Sequence, residues 1–128
     1  IRQIRDTRDP RVVMPGAIYG DGYHQLQSHS LAYVHATEVG GTHPALIEAM
    51  GRGALVLYLN TPENHEVAGG IGIPFEPGEL TAKMRGVLDM DVAERTQRSA
   101  AAMNRVAERY SWEAVTSAYE KLFRELVE

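Results

Sequence analysis

"AYVHATEVGGTHPALIEAMGRGALVLYL" (Ala32 to Leu59) sets two strand patterns on either side of a glycine loop and a helix. "AYVHA" (Ala32 to Ala36) and "LVLYL" (Leu55 to Leu59) are rich in β-branched and aromatic residues, as buried strands are. Between them "PALIEAMGRG" has helical character, with Pro44 suited to a first helical turn. Outward lie two further strand patterns, "RVVMP" (Arg11 to Pro15) and "GIPF" (Gly72 to Phe75), and a helical segment, "GDGYHQLQSHS". Alternating strand and helix predict an α/β fold, a parallel sheet with helices on its faces.

The last third of the chain is helical. "DVAE", beginning at Asp91, has the form of a capping box, and helical periodicity follows to about Arg109. A second C-terminal helix, capped by Ser111, carries Trp112, Val115, Tyr119, Leu122, Phe123 and Leu126 on one face. The first ten residues, "IRQIRDTRDP", are helix-like, with Ile1 and Ile4 on one side. A doubly wound domain usually opens on a strand, so further strands are expected upstream.

Composition narrows the class. With 128 residues, 44% of them hydrophobic and 23% charged, the chain has the size of a single domain, spanning 1–128, with enough apolar content for a core. Thirteen Lys and Arg against 17 Asp and Glu give a formal charge of −4, so the electrostatic footprint of a nucleic-acid binder is missing. The absence of cysteine removes disulfides and thiolate chemistry from consideration. The longest apolar run, Ala54 to Leu59, is too short to span a bilayer, and the expected location is the cytoplasm, including the inner face of the membrane as a peripheral site.

Several groups could carry chemistry. Gly40 and Gly41 permit close backbone approach to a ligand, and the following helix start presents N–H groups suited to an anion; the same pattern also serves a plain strand-to-helix turn. Glu48 lies one turn before Arg52, the spacing of a surface ion pair, yet its apolar flanks Leu46, Ile47, Ala49 and Met50 also fit an acid lining a cleft. There it could accept hydrogen bonds from the vicinal hydroxyls of a ribose. His35, Glu38 and His43 imitate metal ligands, but their spacing fits no standard site, and no metal is expected. His24 and His29 read as ordinary helix residues. Glu63, His65 and Glu66 follow a strand end, where ligands collect in open α/β sheets, although a solvated helix start accounts for them equally well.

Taken together, "AYVHATEVGGTHPALIEAMGRGALVLYLNTPENHEVAGGIGIPFE" and "RYSWEAVTSAYEKLFREL" resemble the C-terminal, donor-binding domain of family-4 glycosyltransferases of the GT-B type, and within it the rhamnosyltransferase-like branch. The matching order is a strand, a glycine-bearing loop (Val39 to His43), a helix with "EAM" (Glu48 to Met50), Gly53, a buried strand, Glu66 with Val67, and a short strand ending in Pro74 and Phe75. The resemblance implies a Rossmann-like sheet, incomplete without two strands before Ile1, and an acceptor-binding domain supplied by further sequence. It implies that Glu48 holds the nucleotide ribose, that backbone N–H groups of Gly40, Gly41, Thr42 and His43 face the diphosphate and donor sugar, and that Gly16, Ala17 and Ile18 lie beside the base.

Two departures stand out. The family pattern has a first glutamate eight positions before the ribose acid; here that position is Gly40, and Glu38, the nearest acid, becomes the candidate for the sugar-facing, catalytic role. The family's diphosphate-neutralising Arg and Lys also have no counterpart in a matching context. The implied activity is retaining and metal-independent transfer of a sugar such as rhamnose, from dTDP-rhamnose or a UDP- or GDP-sugar, to a saccharide or lipid-linked acceptor, without a cofactor. An epimerase-like enzyme of the same architecture and a non-catalytic nucleotide-binding or interaction module are the rival readings. With strands missing upstream, "RVVMP" and "AYVHA" would each keep an unpaired edge. Ala32, Val34 and Leu55 to Leu59 would carry that edge and its apolar face, so the isolated chain is expected to self-associate.

Overall fold

The computed structural model describes residues 7–127; the helix-like start at Ile1 and Ile4 lies outside them. The order of elements is α1 (Asp21–His29), β1 (Tyr33–His35), α2 (Pro44–Gly51), β2 (Val56–Leu59), α3 (Pro62–Ala68), β3 (Ile73–Phe75), α4 (Leu80–Asp89), α5 (Val92–Arg109) and α6 (Trp112–Val127). Three strands form a parallel sheet in the order β1-β2-β3. Tyr33 stands beside Val56 and His35 beside Tyr58, while Leu57 pairs with Ile73 and Leu59 with Phe75. The chain is therefore mixed α/β with a parallel sheet, as the strand–helix alternation predicts.

Alternation along β2 builds two cores. Val56 and Tyr58 pack with Leu46, Ala49 and Met50 of α2, Val67 and Ala68 of α3 and Ala102 of α5. Leu55, Leu57 and Leu59 face the other way, onto Phe75 and Val87, with Leu80 of α4 at the margin. All four residues of β2 are buried, which explains why "LVLYL" reads as a continuous apolar run rather than an alternating one. Helices thus cover both faces of this short sheet.

Local signals set the helix starts. Thr61 accepts a hydrogen bond from the Asn64 N–H (3.2 Å) ahead of Pro62 in α3, Asp91 accepts from the Glu94 N–H (2.8 Å), and Ser111 accepts from the Ala114 N–H (3.1 Å). Each satisfies one of the donors that a helix leaves unpaired at its N-terminus. Helix α3 ends at Gly69, which takes the left-handed conformation (φ 61°), and the Arg105 guanidinium occupies the space that a Cβ there would need.

The amphipathic helix α5 fastens the crossovers. Ser99 Oγ donates to the Gly53 carbonyl (2.7 Å), Arg98 to the Ile71 carbonyl (3.2 Å), and Arg105 Nε to the Val67 carbonyl (2.7 Å) with a second donation to Glu66. Arg95 reaches the Met90 carbonyl (3.2 Å) just past α4. Placing cations on the last carbonyls of α3 and α4 satisfies groups the helices cannot pair themselves and complements their dipoles.

Two expectations are corrected. "RVVMP" (Arg11 to Pro15) is not a strand: it is irregular, and Val12, Val13 and Met14 are exposed. A strand needs a neighbour for its N–H and C=O groups as well as an apolar sequence, and among the described residues the sheet offers this segment no pairing. Nor do Leu55 to Leu59 form an exposed face, since they lie in the central strand region and are buried. Among the described residues β1 and β3 are both sheet edges, and beside β1 Leu31, Ala32, Val34, Met84, Val87 and Leu88 line an apolar groove. The face of α6 carrying Trp112, Tyr119, Leu122, Phe123 and Leu126 forms as expected but stays exposed.

Just before β3, Gly72 lies tight against the core, because a Cβ there would meet Val56 Cγ2 at 2.7 Å and the Tyr58 ring at 3.0 Å. Gly72→Ala is expected to destabilise the fold by about 1–3 kcal/mol, the usual cost of overpacking a core. Chemical denaturation checks this; an unchanged midpoint would show that the contact relaxes freely.

Candidate functional site

The C-terminal ends of the three parallel strands lie together, where open α/β sheets gather their ligands. After β1 the chain runs through Thr37, Glu38 and Val39 to Gly40 and Gly41, then enters α2. Asn64 ties this loop down. Its Nδ2 donates both to the Thr37 carbonyl (2.9 Å) and to the Leu59 carbonyl (3.0 Å), joining the ends of β1 and β2 from a fully buried position.

Beneath the loop, His35 and His43 meet edge to face with ring centroids 4.8 Å apart. Both are buried. The His43 ring occupies the space that a Cβ at Gly40 would need. Burial, and then the neighbouring His43, depress the His35 pKa below 6.5. His35 Nε2 is buried without a hydrogen-bond partner, so a proton there would add an unpaired charge to the interior.

At the start of α2, His43 gives no side-chain cap; Pro44 has no N–H, and the Leu46 and Ile47 N–H groups donate to the His43 carbonyl (3.0 and 3.1 Å), so the first turn leaves the Ala45 N–H for water or an anionic ligand. Gly41 and Thr42 also line a cleft of about 280 Å³ with Glu63, Glu66, Val67, Arg109 and Tyr110. This cleft brings the glycine loop to the two glutamates that follow β2. His65 turns away from it, sharing a 2.9 Å hydrogen bond with the buried Tyr58 hydroxyl.

Glu48 is exposed, one turn into α2. The ion pair its spacing allows with Arg52 does not form. Instead the Tyr23 hydroxyl of α1 donates to Glu48 Oε2 (3.0 Å), and Gln27 Nε2 donates to the Tyr23 hydroxyl (2.8 Å). Burial, the hydrogen bond to Glu48 and the charges of Glu48 and Tyr33 push the Tyr23 phenol up to about 12, with Gln27 opposing. Tyr33 is raised as well, by burial and then by Glu48. Of the two, Tyr23 is the one hydrogen-bonded to this carboxylate.

The remaining sequence candidates are dispersed. Glu38 is exposed in the loop, and Gly16 and Ala17 are exposed with Ile18 half-buried against Gly22. His24 and His29 are residues of α1, His29 bonding the Gln25 carbonyl of its own helix. His35 and His43 meet, but among the described residues no group of three His, Asp or Glu side chains is placed to hold a metal ion. Tyr23 and Asn64 escaped the sequence reading. The four-residue spacing of Tyr23 and Gln27 puts them on one face of α1, but nothing local points across 25 residues to Glu48.

Comparison with protein-family models, curated proteins and solved structures gives no match. Among the described residues no helix is long and apolar enough to cross a membrane.

Two outcomes follow from the strand-end geometry. Asn64→Ala removes both donations and leaves the Thr37 carbonyl unpaired, which is expected to cost about 1–3 kcal/mol of stability, read as a lowered denaturation midpoint. For His35 the folded pKa lies below the unfolded value of 6.5, so its contribution to stability is complete above that pH and is lost as pH falls through the folded value. Denaturation curves at pH 8 and pH 5 (about one and a half units either side of a free imidazole) should show wild type losing more stability than His35→Phe. Identical losses would remove His35 as the acid-sensitive group.

Proposed function

We propose that this chain is the donor-binding part of a glycosyltransferase that transfers a sugar, such as rhamnose, from a nucleotide-sugar to a saccharide or lipid-linked acceptor. The observation that carries the reading is the setting of Glu48. Its carboxylate is held by Tyr23 rather than neutralised by Arg52, and it lies on the helix whose uncapped N-terminus follows the glycine loop. A diphosphate at that N-terminus and a ribose at Glu48 would be about one helical turn apart, a separation that a nucleoside diphosphate spans.

In this reading the Glu48 carboxylate accepts hydrogen bonds from ribose hydroxyls. The N–H groups of Gly40, Gly41, Thr42 and His43 receive the diphosphate, and the α2 dipole favours the negative charge that grows as the sugar–phosphate bond breaks. Holding donor and acceptor in register supplies much of the remaining rate. Glu38 serves the sugar-facing role, while Gly16, Ala17 and Ile18 flank the base. The retaining outcome, the metal independence, the acceptor-binding domain and the GT-B assignment rest on the sequence resemblance to family-4 glycosyltransferases.

Calorimetry of dTDP, UDP and GDP binding to Glu48→Gln and Glu38→Gln tests the assignment. Glu48→Gln is expected to lose far more affinity, since hydrogen bonds to a charged carboxylate are worth about 1.5–3 kcal/mol each. Equal losses in the two variants would sink the ribose role. Transfer activity of the full-length enzyme should persist in chelator, and activity abolished by chelator and restored by a divalent ion would overturn metal independence.

A further inference from the structure

The hydrogen-bond chain from Gln27 through Tyr23 to Glu48 has a fixed polarity. A carboxylate accepts only, so the single phenolic proton of Tyr23 points at Glu48 Oε2 (3.0 Å), and the contact from Gln27 (2.8 Å) must then be an amide N–H entering the phenol oxygen. Gln27 is buried at 3% exposure, on the inner side of α1, and cannot readily turn its amide to a competing partner. The Tyr23 phenol, raised to about 12 by burial and then by Glu48, keeps its proton at any physiological pH. Glu48 is consequently steered through one oxygen, and among the described residues its Oε1 has no hydrogen-bond partner.

An exposed glutamate ordinarily samples several rotamers, and fixing one costs conformational entropy at the moment of binding. A donor aimed at Oε2 removes part of that freedom beforehand and leaves Oε1 open. We infer that Tyr23 is a positioning residue that pre-sets the Glu48 carboxylate for a vicinal diol, so that preference for a hydroxylated ribose depends on α1 as well as on α2. This rests on the ribose role of Glu48 proposed above and adds to it a residue that touches no substrate.

The test compares affinities by calorimetry on the full chain, using whichever of the two ribonucleotides UDP and GDP binds more tightly and its 2′,3′-dideoxy counterpart. In wild type the hydroxylated nucleotide should bind about tenfold or more tightly than the dideoxy form, one or more charge-assisted hydrogen bonds being lost. Tyr23→Phe should shrink that ratio by about three- to tenfold while leaving dideoxy affinity unchanged. Gln27→Leu, which keeps the phenol but removes the donor that orients it, should shrink it less.

The outcomes separate the two ideas. A ratio that collapses in Glu48→Gln but survives in both Tyr23→Phe and Gln27→Leu overturns the positioning role and leaves the ribose assignment standing. Equal loss of both nucleotides in Tyr23→Phe, with its denaturation midpoint lowered, shows a merely structural residue and also overturns it. A ratio unchanged in Glu48→Gln, or no binding of either ribonucleotide to wild type, removes the underlying functional reading itself.

Discussion

Burial of β2 on both faces is the constraint from which the remaining architecture follows. Val56 and Tyr58 point into one core while Leu55, Leu57 and Leu59 point into the other. Neither set can leave water unless helices cover both sides of the sheet. A parallel neighbour on each edge then satisfies the strand's backbone, as β1 and β3 do. Short helical crossovers between parallel strands are therefore required, and they bring every strand's C-terminal end to the same side. The glycine loop, α3 and Asn64 meet there for that reason.

Stability and the candidate site are joined at those strand ends. Asn64 spends its amide on the Thr37 and Leu59 carbonyls, which closes the ends of β1 and β2 and fixes where the glycine loop departs. His43 folds its ring under Gly40 and against His35, so the loop rests on a buried imidazole pair rather than hanging free. At the opposite end, α5 provides Ser99, Arg98 and Arg105 to carbonyls of the turns between elements. Polar side chains on one amphipathic helix thus satisfy backbone groups on several connections, while Ala102 and Val106 of the same helix pack on the core.

Among the described residues the groove beside β1 and the face of α6 are apolar surfaces left uncovered. Both arise from patterns that the sequence displays plainly. Periodicity says which face of a helix is apolar, but whether that face is covered depends on what lies opposite it. The Glu48 site shows the same distinction in polar form. Spacing along α2 offers Arg52 as a partner, and the fold provides Tyr23 of α1 instead, with the buried Gln27 donating to its phenol.

By itself the sequence determined the α/β class, the strands around Tyr33, Leu57 and Pro74, the helix caps at Asp91 and Ser111, and the extents of α5 and α6. These are local signals: apolar run length, helical period, and side chains that bond N–H groups three residues on. It also made Glu48 conspicuous, as the lone acid in an apolar helix after a glycine loop. Only the tertiary structure decided that "RVVMP" is no strand, that Tyr23 holds Glu48 across 25 residues, and that Asn64 reaches Thr37 across 27. A strand is a relation between two backbones and a hydrogen bond a relation between two positions in space, so neither is contained in the residue that takes part in it.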